Sequence, residues 1–242
     1  MPVAVWVACE EGYAEQAAES ATSMKEHMDI ECILASDCTQ ERSPFDRIIE
    51  VPSRDDEPWY LNSVRHYNTV LQTLQTDEKI MFLDTDCYVC SPFDDLFEVL
   101  DRYDIIGTHG VARHTAATFE ELPNAFPEIC IGMLAVKNNA MVKLLFEEWL
   151  NLYIEHVEVY GSNDQGPLRE ALWNNQDVKL YVCTPEYHCR WPFGTYLAGI
   201  AKIIHGRNMD QREVAKQINA TGKMRLYRPG GIVFVPGEKV DY

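Results

Sequence analysis

The stretch that decides the fold is residues 79–86, which read KIMFLDTD. Four apolar residues stand directly before two aspartates, Asp84 and Asp86, that are separated by one residue. An uninterrupted apolar run is typical of a strand that is buried on both faces of a parallel sheet. The stretch therefore predicts a central strand that ends in an acidic turn.

The segments before this strand alternate between strand and helix patterns. Apolar runs predict three strands, and helix-forming or helically spaced residues predict two helices. The strands are Val3–Cys9, Ile30–Ala35 and Arg47–Val51, and the helices are Ala14–His27 and Asn62–Leu74. This order predicts an α/β fold with a mainly parallel central sheet and helices on both faces. Ligands of such sheets bind beyond the carboxyl ends of the strands, where residues 9–13 and 84–86 both lie.

The second half of the chain is less regular. Residues 113–127 are polar and predict a loop over the site, and we expect the tail from Thr184 to Tyr242 to form loops. The remaining patterns predict strands over Ile129–Val136 and Lys179–Cys183, and helices over Met141–Ile154 and Asp164–Leu172. No repeat or linker divides the sequence, so we expect one domain over residues 1–242.

Charge and composition exclude several classes of function. The formal net charge of the 242 residues is −17, and such a chain lacks the basic face that nucleic acid requires. A nucleotide ligand remains compatible with this charge, because a divalent cation screens a diphosphate from acidic side chains. No apolar run reaches the ~20 residues that span a bilayer, so we expect no direct membrane insertion.

The eight cysteines are expected to be reduced thiols. No secretory signal is recognisable at the N-terminus, which favours a cytoplasmic location. Cys87 and Cys90 match the CxxC pattern, but no helix N-terminus follows to lower a thiol pKa. A redox or zinc role for this pair is therefore disfavoured.

Asp84 and Asp86 are candidate metal ligands. Two carboxylates at a strand end converge on one point when the chain turns there. A hard cation such as Mn²⁺ or Mg²⁺ takes oxygen ligands and also accepts diphosphate oxygens. The alternative is that Asp84 caps the turn and Asp86 is solvated.

Three motifs resemble those of the GT-A glycosyltransferases, most closely glycosyltransferase family 8, which includes glycogenin and bacterial galactosyltransferases. The first is the acidic segment 82–89 with residues 92–97, and the second is residues 9–14 with 23–27. The third is Asn163–Gly166, which is similar to the DQ motif of the family. The motifs follow one another in the order of the family.

The resemblance implies a site for a nucleotide-sugar donor, with a UDP-sugar favoured over a GDP-sugar. It divides the domain into a nucleotide-binding half, 1–110, and a half for sugar and acceptor, 111–242. It makes Asp164 and Gln165 catalytic and has Tyr13 stack on the base. The residues that it assigns to the donor are Val7, Cys9, Glu10, Tyr13, Arg65, Asp84, Thr85, Gly132 and Arg207.

The C-terminal motif of the family is altered in this chain. The family ends its site with HFxGxxKPW, whereas residues 203–207 read IIHGR. The resemblance makes His205 the third metal ligand beside Asp84 and Asp86, and assigns Arg207 or Lys202 to the diphosphate. The NSG segment of the family is replaced by CIG at residues 130–132, so the donor sugar is not transferable from the family.

The other histidines fall into two groups. His109 and His114 flank the polar loop and are candidates for substrate contact. The remaining ones are interpreted as ordinary surface or partly buried residues, and these are His27, His66, His156 and His188.

The sequence thus predicts a glycosyltransferase that depends on Mn²⁺ or Mg²⁺ and transfers a hexosyl-type sugar to a carbohydrate or other hydroxyl acceptor, with retention favoured. A sugar nucleotidyltransferase is one alternative, although it normally has a glycine-rich basic loop after the first strand, where this chain has residues 9–12, CEEG. A non-catalytic domain that binds nucleotide or sugar is the other alternative.

Overall fold

The computed structural model describes residues 2–37, 43–52, 58–110, 122–207 and 210–234. None of the helices within these ranges combines the length and the apolar character that crossing a bilayer demands. The strands are β1 (Val3–Val7), β2 (Glu31–Ser36), β3 (Arg47–Glu50), β4 (Lys79–Leu83), β5 (Cys87–Val89), β6 (Ile105–His109), β7 (Ile129–Lys137), β8 (Leu180–Cys183), β9 (Thr195–Leu197), β10 (Ile203–His205), β11 (Arg225–Arg228) and β12 (Gly231–Phe234). The helices are α1 (Glu11–His27), α2 (Trp59–Thr73), α3 (Asp94–Val99), α4 (Ala140–Glu155), α5 (Val157–Tyr160), α6 (Gln165–Asn174) and α7 (Gln211–Ile218).

Seven strands form one sheet in the order β3-β2-β1-β4-β7-β6-β8. Strand β7 is antiparallel to its neighbours β4 and β6, and the other adjacent pairs are parallel. Helices cover both faces of the sheet, and they form a separate buried apolar cluster with each face. The predicted α/β fold with a mainly parallel central sheet is confirmed.

Alternate side chains of the central strands enter opposite layers of the core. Val5 of β1 and Phe82 of β4 pack with the apolar residues of α2, α4 and α6. Their neighbours Trp6 and Leu83 pack with those of α1 and α3. Both faces of β1 and β4 are thus buried, which explains their continuous apolar sequences and fixes the carboxyl edge from which the acidic turn projects.

The prediction of loops for the whole C-terminal tail is wrong, since β9 to β12 and α7 lie there. Helix α7 buries Val214, Ala215 and Ile218 at helical spacing. Its N-cap is Asp210, whose Oδ1 accepts from the backbone N–H groups of two first-turn residues. These features overcome the Gly- and Pro-rich composition of the tail. The predicted loop 113–127, with His114, lies mostly outside the described residues.

The side chain of Asn138 connects the end of α2 to the central sheet. Its side-chain Nδ2 lies within hydrogen-bonding distance of the backbone carbonyls of Leu71 (3.0 Å), Leu74 (3.1 Å) and Gln75 (2.9 Å). The last carbonyls of a helix have no partner inside the helix. The amide of Asn138, which follows β7 and is fully buried, therefore supplies the hydrogen-bond donor that the carbonyls at the end of α2 lack.

We expect Asn138→Ala to lower the free energy of unfolding by about 2–3 kcal/mol, because buried carbonyls lose their donor. The comparison is Asn139→Ala, which removes the N-cap of α4, where Oδ1 accepts from Val142 N at 2.9 Å, and also the bond from Nδ2 to Asp104 Oδ1 at 2.8 Å. That change should cost about 1–2 kcal/mol. Urea unfolding of both variants checks the difference, and equal losses would contradict the role given to Asn138.

Candidate functional site

The acidic turn projects from the carboxyl end of β4. The backbone N–H of Asp84 donates to Gly132 O at 3.0 Å, and Cys87 N donates to Asp84 O at 3.1 Å, which closes the turn. His205 then lies between the two carboxylates. Its Nε2 is 3.4 Å from Oδ2 of Asp84 and 3.1 Å from Oδ1 of Asp86.

His205 reaches this position through a two-stranded antiparallel sheet. Strand β10 pairs with β5 so that His205 stands opposite Cys87, directly after the acidic turn. Two further bonds hold the carbonyl of Asp86, from Gly206 N at 3.2 Å and from Gln211 Nε2 at 2.6 Å. The sequence motif and the distant histidine are therefore joined by backbone pairing as well as by side chains.

Asp84, Asp86 and His205 fit a divalent cation. Their ligand atoms all lie within 4.8 Å of one another. Oδ1 of Asp86 is buried and accepts no well-aligned hydrogen bond, although the ring of His205 is close. An oxygen-rich set of this kind suits Mn²⁺ or Mg²⁺, which complete their coordination with water or phosphate oxygens.

The three groups shift one another's pKa values. Burial raises the pKa of Asp84; the nearby charge of His205 opposes this shift and that of Asp86 adds to it. Burial also opposes ionisation of Asp86, but His205 and Arg207 outweigh it and lower its pKa to about 2. For His205, burial favours the neutral ring, yet Asp86, Cys130 and Asp84 raise its pKa to about 10. Without a metal the imidazolium thus supplies the positive charge that the carboxylates require.

Gly132 makes room for this arrangement. A Cβ atom at this position would overlap the imidazole of His205 and come within 3.0 Å of Oδ2 of Asp84. Glycine is the residue that permits such close approach of the backbone. The retained glycine of the altered CIG segment is therefore a steric requirement of the three-ligand cluster.

A cavity of about 1020 Å³ opens from the cluster. All but one of the predicted site residues line it: Val7, Cys9, Glu10, Tyr13, Asp84, Thr85, Asp86, Gly132, Asp164, Gln165, His205 and Arg207. The exception is Arg65, because the face of α2 that meets the cavity carries Asn62, Ser63, His66 and Tyr67. Lys202, the alternative to Arg207, lies elsewhere, with its Nζ 3.3 Å from Ser91 Oγ.

One end of the cavity is built by the first turn of α1. Tyr13 exposes 42% of its surface there, and the guanidinium of Arg207 lies 5.9 Å from its ring centroid. Thr85 donates through Oγ1 to Gln16 Oε1 at 2.6 Å, which connects the acidic turn to α1. Glu10, just before the helix, has a φ of 71°. Backbone in this left-handed region is costly for a residue with a side chain and is concentrated at functional sites.

The start of α6 lines another part of the cavity. The carbonyl of Asp164 accepts from Trp149 Nε1 at 2.8 Å, and Gln165 N donates to Asn163 Oδ1 at 3.0 Å. Burial, followed by the charge of Asp84, raises the pKa of Asp164 to about 7. A carboxyl group of this kind changes its charge near neutral pH, which suits proton transfer or stabilisation of a developing cation.

The segment around residues 188–193 was largely missed by the sequence analysis. Arg190 lines the cavity and donates through Nη1 to Cys130 Sγ at 3.1 Å, with its guanidinium 5.0 Å from the ring centroid of Phe193. The interpretation of His188 and His66 as surface or partly buried residues is wrong, because both are buried. His188 is bonded to His205, and His66 lines the cavity. Residues 188–191 read HCRW, and their basic and aromatic side chains could have indicated a binding segment. Nothing in them indicated that the segment contacts β10.

Solved structures of glycosyltransferases share this architecture at low sequence identity. GlyE from Streptococcus pneumoniae TIGR4 matches with a TM-score of 0.61 and 13% identity, over 91% of this chain and 61% of its own. Mouse xyloside xylosyltransferase 1 matches with 0.59 and 13%, over 85% of this chain and 97% of its own. The galactosyltransferase LgtC, solved with donor and acceptor sugar analogs, matches with 0.57 and 12%, over 76% and 74%. The fold is thus that of the GT-A glycosyltransferases.

The sequence itself matches a family model. No curated protein matches it significantly, but the model of nucleotide-diphospho-sugar transferases matches residues 50–188. That range is more than half of the chain and contains the acidic turn and the Asn163–Gly166 segment. The chain therefore belongs to the nucleotide-diphospho-sugar transferase family.

Proposed function

We propose that this protein is a metal-dependent glycosyltransferase that transfers a hexosyl-type sugar from a UDP-sugar to a hydroxyl acceptor, with retention at the anomeric carbon. The observation that carries the proposal is the convergence of Asp84, Asp86 and His205 on one point of the cavity wall. Membership of the nucleotide-diphospho-sugar transferase family supports the donor class. The finer resemblance to glycosyltransferase family 8 supports the choice of uridine and of retention.

Asp84, Asp86 and His205 would hold Mn²⁺ or Mg²⁺. The cation supplies Lewis-acid stabilisation of the diphosphate that departs from the sugar. Arg207 lines the same cavity, with its Nε 3.2 Å from Oδ2 of Asp86. Together with Arg190 it provides fixed positive charge for a leaving group that gains negative charge in the transition state.

The nucleoside would occupy the end of the cavity at α1. The exposed ring of Tyr13 offers a flat face for a base, and Val7 and Cys9 provide the apolar wall of the same end. Aromatic rings stack on bases irrespective of base identity. The selection of uracil over guanine would thus depend on polar groups such as Glu10 and on the space beside Tyr13.

The sugar would then lie toward α6. Asp164 and Gln165 face the cavity from the start of that helix, and the pKa of Asp164 is raised by burial. In the proposed reaction they border the anomeric carbon as it gains positive charge. Retention further requires that the acceptor hydroxyl enters on the face from which the diphosphate leaves. The exposed ring of Phe193 at the cavity provides an apolar surface suited to a sugar acceptor.

Calorimetric titration tests the donor site directly. We expect UDP to bind in the presence of Mn²⁺, and Asp86→Ala to weaken that binding on the order of 100-fold, because the cation loses a ligand. The matched control is Asp94→Ala, which removes an exposed carboxylate eight residues further along the chain. It should leave the affinity unchanged.

The other outcomes of this titration separate the alternatives. Tighter binding of GDP than of UDP would replace the donor nucleotide in the proposal. Binding without turnover of any UDP-hexose, including slow hydrolysis, would favour a non-catalytic domain. If neither diphosphate binds with Mn²⁺ or Mg²⁺, the proposed function is wrong.

The raised pKa of Asp164 predicts a pH-dependent stability effect. Its folded-state pKa of about 7 lies above the unfolded value of about 3.9, so the wild type loses stability as pH rises between these values. Asp164→Asn stays neutral. Its free energy of unfolding relative to that of the wild type should therefore rise by about 1–3 kcal/mol as the pH increases from 5 to 8. Urea unfolding of the metal-free protein measures this difference.

The control for that experiment is Asp101→Asn. The Asp101 carboxylate pairs with Lys79, and its pKa is lowered by that contact. Both its folded and its unfolded pKa lie below pH 5, so its amide variant should differ from the wild type by the same small amount at pH 5 and at pH 8. An Asp164→Asn variant whose stability tracks the wild type at both pH values would contradict the raised pKa.

A further inference from the structure

A second buried histidine stands behind His205. His188 exposes 2% of its surface, and its Nε2 lies 2.7 Å from Nδ1 of His205. Its other ring nitrogen, Nδ1, lies 2.8 Å from Oγ1 of Thr108. The three side chains form one line of hydrogen bonds that ends at the two carboxylates, which Nε2 of His205 faces.

Backbone bonds hold both rings in place. Cys189, next to His188, donates from its N–H to Ile203 O at 2.8 Å and accepts at its carbonyl from His205 N at 2.9 Å. His188 N donates to Pro185 O at 3.2 Å. Thr108 belongs to β6 of the central sheet. The pair of rings is thus fixed between the central sheet and β10.

The direction of proton donation along this line follows from the chemistry of imidazole. If Nε2 of His205 binds a cation, it must offer a lone pair, so the ring proton resides on Nδ1. That proton is donated to Nε2 of His188, which must then carry its own proton on Nδ1 and donate it to Thr108. An acceptor at Nε2 requires a neutral His188 ring, whose one proton is then on Nδ1.

We propose that His188 is a positioning residue that holds His205 in the Nδ1–H tautomer and aims its Nε2 at the cation, with Thr108 as the anchor of His188. The inference rests on the proposed function, because it assumes that His205 binds a metal. It adds to that function a residue outside the three ligands. Partners in this position fix the ring orientation and raise the basicity of a ligating histidine.

A separate zinc site built from the same rings is excluded by their spacing. Cys87, His188 and His205 also lie within 4.8 Å of one another. Two imidazole nitrogens that share a tetrahedral Zn²⁺ stand about 3.3 Å apart, given Zn–N bonds of about 2.0 Å. The observed 2.7 Å is a hydrogen-bond distance, and the thiol of Cys87 already donates to Gly132 O at 3.1 Å.

Two substitutions of His188 separate positioning from mere packing. His188→Leu fills a similar volume but removes the acceptor, whereas His188→Gln offers a carbonyl oxygen near the place of Nε2. Mn²⁺ affinity is measured on the full chain with UDP present, from the electron paramagnetic resonance signal of free Mn²⁺. We expect His188→Leu to weaken Mn²⁺ binding about 10–100-fold and His188→Gln to restore most of the affinity. His156→Leu is the control, because His156 does not line the cavity, and it should bind as the wild type does.

Nitrogen NMR of the histidine rings provides a readout that does not depend on a variant folding. With Mg²⁺ and UDP bound to the wild type, both His205 and His188 should carry their protons on Nδ1. In the folded His188→Leu variant the Nδ1 proton of His205 should lose its shifted, hydrogen-bonded signal. Thr108→Val should change the His188 signals and weaken Mn²⁺ binding by less than His188→Leu does.

The outcomes distinguish this inference from the proposed function. If the wild type binds UDP with Mn²⁺ but a folded His188→Leu variant has the same Mn²⁺ affinity, the positioning role is wrong and the proposed function stands. A wild-type spectrum with a proton on Nε2 of His188 would overturn the role without any substitution. If the wild type binds neither Mn²⁺ nor UDP, both proposals fail together.

Discussion

The antiparallel pairing of β5 with β10 brings His205 opposite Cys87 and so beside Asp86. Without this pairing the acidic turn would present two carboxylates close together with no imidazole between them, an arrangement that repulsion disfavours. With it, the imidazole offsets part of that negative charge, and one face of the cluster stays open to the cavity. Three further features hold His205 beside the acidic turn. They are Gly132 on β7, the bond from Gly206 N to the Asp86 carbonyl and the bond between the rings of His188 and His205. The cavity and its chemistry depend on that short sheet.

The cavity is lined by acidic as well as basic side chains. The formal net charge is −17, yet Arg190 and Arg207 both line the cavity. Each arginine also has an aromatic neighbour, Phe193 and Tyr13 respectively, within 6 Å of its guanidinium. Glu10, Asp37, Asp84, Asp86 and Asp164 line the cavity too. An anionic ligand would therefore be favoured only beside the two arginines or next to a bound cation.

The sequence predicted β1 to β4, α1 and α2, because β1 and β4 are buried on both faces and carry continuous apolar runs. It did not predict β5, α3 or β6. It also placed the two aspartates at the carboxyl end of β4, because they directly follow the apolar run. The C-terminal elements were missed because their strands are three or four residues long, too short for a period to be recognised. The sequence also did not reveal which face of α2 meets the cavity, where Asn62, Ser63, His66 and Tyr67 lie rather than Arg65. Likewise, no residue near His188 in the sequence indicated that His205 of β10 would contact it.

The distance in sequence between the acidic turn and β10 determines when the site can form during synthesis of the chain. As the chain leaves the ribosome, β1 and β4 can assemble with the helices that cover them before residue 205 exists. The two aspartates are then available, but their third partner and the pair of buried rings behind it are not. Under the proposed function, a divalent ion would consequently meet a complete set of ligands only in the finished domain. It would select the native state over earlier, partly assembled forms and add to its stability by mass action.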